Sequence, residues 1–353
     1  MEEIRKLIDR IDPADAAAGA EARRRWNELA KPLGSLGVLE DDLVRIAALT
    51  GSAELKLKPR TLLVFCADNG VVAQGVSQCG SSVTACVAEA LGAGRSSVNP
   101  LAREADCTVL PVDMGILNFA GCIGVLDRRV QNGTGDISLG PAMSREVCLQ
   151  AMQIGAELVK DQAEAGTRLL ALGEMGIGNT TTSAAVAAAL LELPTREAIG
   201  RGAGLSDEGL RRKRRAVEQA LKANTPDPGD PIDVLSKVGG LDLAALCGAF
   251  IGAAASRIPV IADGLISTVA ALCALRLCPA AEKALLLSHE SAEPAAAAVR
   301  EAIGLPVPIR AGLHLGEGSG ALCLMPLLDM ALRLYGSGQS FEKLGIEAYR
   351  PQD

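Results

Sequence analysis

The chain has 353 residues, of which 49% are hydrophobic and only 2% aromatic, and its formal net charge is −7. The length allows one large or two smaller domains with a buried core. The negative charge and the scarcity of aromatic side chains argue against nucleic acid and against an anionic membrane surface as partners. The ten cysteines include no Cys-x-x-Cys pair. We therefore expect most of them to be small core residues in a reducing compartment, without a metal site.

The first 50 residues predict helices. Apolar residues recur at helical spacing from Ile4 to Ile11, a second amphipathic stretch covers 20–29, and the loop 31–37 leads into a third helix over 39–49. The N-terminus has no signal-peptide pattern, and charged residues interrupt the most apolar region, 241–277. We therefore expect a cytoplasmic protein without a membrane-spanning helix.

Five short apolar runs then alternate with helical patterns, and each run ends in a polar loop. They cover 60–67, 108–112, 167–172, 259–262 and 283–288. Short runs that are followed by helices predict the parallel sheet of an α/β fold. We predict a large Rossmann-like α/β domain over 51–321, with helices flanking the sheet, and a small helical domain from 1–50 together with about 322–353. Ligands of such sheets bind at the carboxyl ends of the strands, so the loops should converge on one site.

Two loops place one carboxylate among glycines and hydroxyls. Glu174 lies in 172–183 and Glu317 in 315–320, and an apolar segment follows each. Glycines allow close approach of a ligand, hydroxyls and N–H groups before a helix bind anions, and a Glu in such a loop is a candidate acid or base. The pattern predicts a site for a phosphorylated substrate. The alternatives are an ordinary capping cluster at 176–182 and a Glu317 that complements the dipole of the following helix.

A second candidate anion site is the glycine-rich segment 200–205 with the basic run 211–215. We expect Lys213 to reach a phosphate, whereas the other basic residues fit a solvated helix face. A Walker A loop is excluded because no Gly-Lys-Ser/Thr follows the glycines at 176–178. The segment 288–294 contains a Ser, a His and two Glu. Without a Gly-x-Ser-x-Gly elbow it fits a polar loop at a strand end better than a hydrolase triad.

Several long motifs in a fixed order carry a family resemblance. They lie at 31–37, 67–71, 112–116, 173–183, 200–213, 239–242, 263–268, 288–294 and 315–320. Through these motifs the chain resembles, nearly end to end, the nicotinate-nucleotide–dimethylbenzimidazole phosphoribosyltransferases, which activate the lower-ligand base in cobamide synthesis. The resemblance implies a large domain with a parallel sheet, a small helical domain, and a dimer with active sites near the subunit boundary.

The resemblance also implies roles for individual residues. Glu317 matches the general base of the family, and Glu174 matches a loop glutamate that we also expect to be catalytic. The nucleotide and its phosphate are expected at Gly176, Gly178, Asn179, Thr180, Gly202, Lys213 and Ser291. The aromatic base, a benzimidazole or a phenol, is expected at Cys79, Gly80, Cys86, Met175 and Leu315. The cationic pyridinium of nicotinate mononucleotide departs without an acid, so no metal or cofactor is expected, and one base must take a proton from the nucleophile.

The sequence departs from the family mainly where the aromatic base should bind. Asn69 stands where a His is usual, Cys79-Gly80 where Tyr-Pro is usual, and Cys86 where a Gln is usual. The segments 94–99 and 132–136 also differ. Either these changes are neutral drift or the acceptor differs, since some relatives activate phenol or p-cresol.

Two other functions stay open at this point. The chain could be a non-catalytic paralogue that supports an active subunit in a heterodimer, or a nucleotide-binding sensor. The presence of both Glu174 and Glu317 argues against the paralogue.

Overall fold

The computed structural model describes residues 2–349. The strands are β1 (Arg60–Ala67), β2 (Thr108–Gly115), β3 (Leu126–Asp127), β4 (Leu169–Met175), β5 (Val260–Ala262) and β6 (Leu285–Leu287). The helices are α1 (Glu2–Ile8), α2 (Ala16–Glu28), α3 (Val38–Thr50), α4 (Ser82–Gly92), α5 (Val98–Glu104), α6 (Arg145–Glu164), α7 (Asn179–Leu191), α8 (Thr195–Ala198), α9 (Asp207–Asn224), α10 (Pro231–Val238), α11 (Leu241–Ala255), α12 (Leu265–Leu277), α13 (Ala296–Ile303), α14 (Ser319–Tyr335) and α15 (Phe341–Leu344). Short 3-10 segments cover Gly70–Gln74 and Pro279–Ala284.

Six parallel strands form one sheet in the order β3-β2-β1-β4-β5-β6. This arrangement confirms the predicted α/β fold with a parallel sheet and flanking helices. Each of the five apolar runs overlaps one strand. The two-residue β3 was not predicted, because two residues carry no hydrophobic pattern.

β4 extends further than its apolar run. Gly173 and Glu174 continue the parallel pairing with Val64 and Phe65 of β1, so the strand ends only at Met175. The expectation that Glu174 lies in a loop was therefore wrong. Backbone pairing prolonged the strand through a glycine and a carboxylate, which the apolar pattern alone did not indicate.

The strand order reverses at β1, which has β2 on one side and β4 on the other. In open parallel sheets such a point leaves a crevice at the carboxyl ends of the strands, and ligands bind there. Asp68 and Asn69 follow β1 at this crevice, and Met175 ends β4 beside them. The topology thus directs the search for a site to this edge.

Alternate side chains of β1 enter two hydrophobic clusters on opposite faces of the sheet. Leu63 and Phe65 belong to the cluster with α6, α7, α10, α11 and α12. Leu62 and Val64 belong to the cluster with α2, α3 and α14. Helix α3 contacts both α2 and α14. The division into two domains stays a prediction, and residues 350–353 of the small one lie outside the described residues.

Glycines let α6 and α11 approach backbone to backbone. A Cβ at Gly248 would lie 1.8 Å from the carbonyl oxygen of Met152, and one at Gly155 would lie 2.0 Å from that of Ala245. Although α11 is almost entirely buried, no helix described between residues 2 and 349 has both the length and the apolarity needed to cross a membrane.

Candidate active site

A cavity of about 260 Å³ lies at the carboxyl ends of β4 and β5. Its wall is formed by the segments that follow β4, β5 and β6, by the start of α7 and by the residues before α14. Nine of the predicted site residues line it: Glu174, Met175, Gly176, Asn179, Thr180, Gly202, Ser291, Leu315 and Glu317. The fold therefore brings together segments that are far apart in the sequence.

The other five predicted site residues lie outside this wall. Gly178 borders an adjoining cavity of about 80 Å³, and Lys213 is buried with its Nζ atom donating to Thr180 Oγ1 at 2.8 Å. Cys79, Gly80 and Cys86 are not among the described residues that line the larger cavity. Cys79 is half-buried and Cys86 is exposed. Their part in binding an aromatic base stays a prediction.

Glu174 is a buried carboxyl group that shares one amide with a second carboxyl group. Asn179 Nδ2 donates to Glu174 Oε2 and, at 3.0 Å, to Asp242 Oδ2. Burial, reinforced by the charge of Asp242, raises the pKa of Glu174 to about 8. Burial also raises the pKa of Asp242 to about 6. Burial and the neighbouring carboxyl group thus favour the protonated form of Glu174 in the free protein, and a cationic ring beside it would favour the ionised form.

Glu317 occupies a turn of three successive left-handed residues. The φ angles are +86° at Gly316, +58° at Glu317 and +86° at Gly318. Left-handed backbone is unfavourable for a glutamate and indicates a constrained position. A Cβ at Gly173 would lie 2.6 Å from the carbonyl carbon of Glu317. Only a glycine in β4 therefore lets the turn pack against the sheet.

The carboxylate of Glu317 is poised to accept a proton. Its Oε2 atom is buried and has no hydrogen-bond partner among the described residues. Burial raises the pKa of Glu317, the Ser96 hydroxyl and the Val98 N–H lower it, and the charge of Asp263 raises it. A carboxylate that is partly desolvated and keeps one oxygen without a hydrogen-bond partner can serve as a general base.

Asp263 and His289 form a second buried polar group at the cavity. Asp263 accepts hydrogen bonds from the N–H groups of Gly318 and Gly320 at 3.2 and 2.7 Å. His289 Nδ1 lies 2.9 Å from Ser288 Oγ, which donates to the carbonyl oxygen of Asp263 at 3.0 Å. Burial lowers the pKa of His289, whereas Asp263 raises it. The segment 288–294 thus supplies a strand-end loop, and Ser288 is engaged with the backbone.

Lys213 forms a compact cationic group with Thr180 and Gly202. Besides donating to Thr180, its Nζ atom lies 3.5 Å from the place where a Cβ of Gly202 would stand, and Gly202 has a φ of +53°. Burial lowers the pKa of Lys213 to about 8, and Glu293 raises it. Thr180 and Gly202 line the cavity. This corner offers a hydroxyl, an ammonium group and a glycine backbone to an anion.

Gly176 is needed for the packing of the sheet edge. A Cβ here would lie 2.4 Å from the carbonyl oxygen of Ala67, and the expected contact of Gly176 with a nucleotide stays a prediction. The glycine is therefore required by contact with the end of β1. A Gly176→Val substitution would disturb the sheet edge itself. Weaker nucleotide binding by that variant would therefore not show where the phosphate binds.

Two of the segments that were expected to differ from the resembled family, 132–136 and 94–99, have defined contacts. Gly70 N donates to Thr134 Oγ1 at 3.2 Å, and Gln74 Nε2 donates to Asp136 Oδ2 at 2.6 Å. The segment 132–136 therefore packs on the turn that follows Asn69. Ser96, in the other departing segment, lies beside Glu317. The differences from the resembled family therefore include a residue next to the carboxyl group of Glu317.

Sequence reasoning missed four polar residues around the cavity, namely Ser96, Asp242, Asp263 and His289. Asp263 and His289 follow β5 and β6, so the strand-end rule that pointed to the loops could have identified them. Asp242 follows two glycines at the start of α11. Ser96 carried no such signal, because its segment precedes a short helix and lies far from Glu317 in the sequence.

Among the residues that the structure describes, no three His, Cys, Asp or Glu side chains are grouped so that they could hold a metal ion. Glu174 and Asp242 instead accept hydrogen bonds from Asn179, and Asp263 accepts one from a backbone N–H group. Carboxylates engaged in this way are suited to stabilising positive charge and to moving protons.

Comparison with known proteins gives a consistent result. A family model described as phosphoribosyltransferase matches residues 11–346. A protein of Acetivibrio thermocellus named nicotinate-nucleotide–dimethylbenzimidazole phosphoribosyltransferase is 43% identical over 330 residues, which are 94% of each chain. A protein of the same name from Halalkalibacterium halodurans is 40% identical over 98% of this chain and 97% of its own. The crystal structure of CobT from Thermus thermophilus superposes with a TM-score of 0.89 at 38% identity, over 94% of this chain and all of the other.

Proposed function

Because the chain belongs to the nicotinate-nucleotide–dimethylbenzimidazole phosphoribosyltransferase family, we propose that it transfers the phosphoribosyl group of nicotinate mononucleotide to an aromatic lower-ligand base. The products are nicotinate and an α-riboside 5′-phosphate. The observation that carries this proposal is the convergence of Glu174 and Glu317 on one cavity whose far corner holds Thr180 and Gly202 beside Lys213.

The residues supply what this reaction needs. The bond between C1′ and the pyridinium nitrogen breaks, and its electron pair neutralises the ring, so the leaving group requires no acid. Positive charge develops on the ribose, and Glu174 and Asp242 stabilise it in their ionised form, which the cationic substrate favours although burial raises the pKa of both groups. A nitrogen or oxygen of the acceptor attacks C1′, and Glu317 takes the proton that the acceptor loses. A phenol loses it from the attacking oxygen, and a benzimidazole loses it from its other ring nitrogen. Lys213, Thr180 and Gly202 bind the 5′-phosphate, with Gly178, Asn179 and Ser291 beside them.

Incubation of the purified protein with nicotinate mononucleotide and 5,6-dimethylbenzimidazole tests the proposal. We expect nicotinate and the riboside phosphate to appear in equal amounts, and neither to form without the acceptor. Slow hydrolysis of the nucleotide at a rate that does not depend on the acceptor would contradict transfer.

We further propose that the acceptor site takes phenols. A benzimidazole gains from an amide or hydroxyl near its second ring nitrogen, whereas a phenol has no such nitrogen. The absence of the usual Tyr and Gln at Cys79 and Cys86 therefore costs the benzimidazole more, because an unpaired polar group discriminates strongly.

Competition between phenol and 5,6-dimethylbenzimidazole at equal concentrations decides the acceptor. An O-riboside among the products supports a phenol-accepting site. Exclusive formation of the N-riboside would identify the departures at 69, 79–80, 86, 94–99 and 132–136 as drift.

A non-catalytic supporting subunit is the second candidate function. The departures near the acceptor site favour it, because a partner could supply the missing groups, while the presence of Glu174 and Glu317 opposes it. Turnover by the isolated chain excludes this role. Binding of the nucleotide without turnover, followed by turnover when a related subunit is added, would establish it.

A further inference from the structure

Helix α14, which carries Glu317 at its entrance, begins without a cap of its own. The residue at its N-terminus is Gly318, which has no side chain to accept the first N–H groups. Asp263, which follows β5 and lies 55 residues before Gly318, serves as the cap instead. Its Oδ1 accepts the N–H groups of Gly320 and Ala321 at 2.7 and 3.2 Å, and its Oδ2 accepts that of Gly318 at 3.2 Å.

Asp263 is itself held firmly. Its side chain is buried, its N–H donates to Ser267 Oγ at 3.2 Å, and Ser267 Oγ donates to the carbonyl oxygen of Leu172 in β4 at 3.3 Å. The position of the carboxylate is therefore fixed relative to the sheet. Since the N–H groups of the turn point at this carboxylate, the sheet sets the position of the turn.

The turn has little freedom on its other sides. A Cβ at Gly318 would lie 2.4 Å from Leu62 Cδ1, and one at Gly320 would lie 2.0 Å from His289 Nδ1. Glu317, in its left-handed conformation between Gly316 and Gly318, has no hydrogen-bond partner for Oε2 within residues 2–349. The location of its carboxylate thus depends on how the backbone is held.

We propose that Asp263 is a positioning residue for the reaction: its buried carboxylate fixes the strained turn that aims Glu317 at the acceptor. The inference rests on the proposed function of Glu317 as the base. Asp263 also acts through its charge. Charged and titratable groups face this corner from β4, α11 and the segment after β6, namely Glu174, Asp242 and His289. Within this set the negative charge of Asp263 raises the pKa of Glu317 and so makes it a stronger base.

Asparagine is the informative replacement. Its amide oxygen can still accept the Gly320 and Ala321 N–H groups, but its NH₂ group then meets the Gly318 N–H, donor against donor. The N–H that directly follows Glu317 loses its acceptor, and the negative charge disappears. We expect Asp263→Asn to lower kcat by ~10²-fold, the size of effect that a small misplacement causes. Affinity for nicotinate mononucleotide should be largely retained.

Two readouts separate positioning from a general loss of structure. Removing the charge of Asp263 lowers the pKa of Glu317, so the acid limb of the kcat/KM profile should move to lower pH. In a Glu317→Gln background, Asp263→Asn should reduce the residual rate little further, because residues that act as a unit are not additive. The control is Asp230→Asn. Asp230 caps α10 through the N–H groups of Ile232 and Asp233, away from the cavity. We expect the activity of this control variant to equal that of the unaltered protein.

Ser267→Ala is a milder second variant in case Asp263→Asn does not fold. It removes the hydroxyl that accepts the Asp263 N–H, and we expect a smaller loss of kcat that also vanishes in the Glu317→Gln background. Equal losses in both backgrounds, or an unshifted acid limb with normal kcat, would overturn the inference. If the unaltered protein transfers no phosphoribosyl group, the proposed function fails instead.

Discussion

The two glutamates at the site are held in different ways. Glu174 is fully buried and tied to Asn179, and its pKa is raised to about 8. Glu317 is half-buried, and its Oε2 has no partner among the described residues. Different environments give the same residue type different tasks. Glu174 is suited to stabilise the cationic ring and the developing charge on the ribose, and Glu317 is suited to take the proton.

Replacing Lys213 tests the phosphate corner. Lys213→Met should weaken binding of nicotinate mononucleotide by ~10- to 100-fold, because charge-assisted hydrogen bonds contribute more than neutral ones. Affinity for the aromatic base should change less. Titration calorimetry measures both. The control is Lys222→Met, which alters a residue on the same helix, away from the cavity.

The pH profile gives an independent check on Lys213. Because burial lowers its pKa to about 8, the cationic form is lost as the pH rises through that value. The kcat/KM for nicotinate mononucleotide, which reports groups of the free enzyme, should fall there. A profile that stays level on both sides of pH 8 would rule out Lys213 as the phosphate ligand.

Replacing Ser96 tests the tuning of the base. The Ser96 hydroxyl donates to Asn99 Oδ1 at 2.8 Å, and it also lowers the pKa of Glu317. Ser96→Ala should therefore raise the pKa of Glu317 and shift the acid limb of kcat/KM to higher pH. Ser97→Ala, at an exposed neighbour, should leave the profile in place. If the acid limb of the Ser96→Ala profile does not shift, the Ser96 hydroxyl donates to Asn99 alone and does not affect the pKa of Glu317.

At the scale of elements, the sequence predicted most of the sheet because its strands are apolar runs between polar loops. It did not predict where the strands end. Glu174 belongs to β4 because of pairing with Phe65, and hydrophobicity reports burial rather than hydrogen bonding. Likewise, Gly176 and Gly173 are glycines because backbone atoms of Ala67 and Glu317 approach them. Such long-range contacts leave no local pattern.

The packing of α6 against α11 should be sensitive to a single methyl group. A Cβ at Gly248 would lie 1.8 Å from the carbonyl oxygen of Met152, so the helices must separate to admit it. Gly248→Ala should lower the free energy of unfolding, measured by urea denaturation, by ~1–3 kcal/mol. Gly140→Ala, where a Cβ meets nothing within 4 Å, is the control. Equal stability of the two variants would contradict the backbone-to-backbone packing.

At the scale of the whole molecule, the sequence predicted that the loops converge on one site. It did not predict Asp263, and the acceptor residues could not be derived from their side chains. Parallel strands bring their carboxyl ends to one edge, which places Glu174, Thr180, Ser291 and Glu317 around one cavity. Asp263 was missed because its task is to cap a helix 55 residues further along the chain. The acceptor residues could only be inferred from the family, because cysteine and glycine side chains carry no chemistry that indicates an aromatic ring.

We propose that the protein assembles as a dimer, either with itself or with a related subunit. The family implies it, and the fully exposed Ile123 and the largely exposed Leu139 supply apolar surface that a partner could cover. Sedimentation of the purified chain should give the mass of a dimer, alone or after a related subunit is added. A monomer with full activity would refute the proposal.

The most direct test of the account is the rate of riboside phosphate formation by Glu317→Gln beside the unaltered protein. The amide keeps the shape of the side chain but cannot take a proton, so turnover should fall by at least ~10²-fold. Nicotinate mononucleotide should bind with nearly its normal affinity. Turnover close to that of the unaltered protein, in a variant that folds and binds the nucleotide, would contradict the assignment of Glu317 as the base.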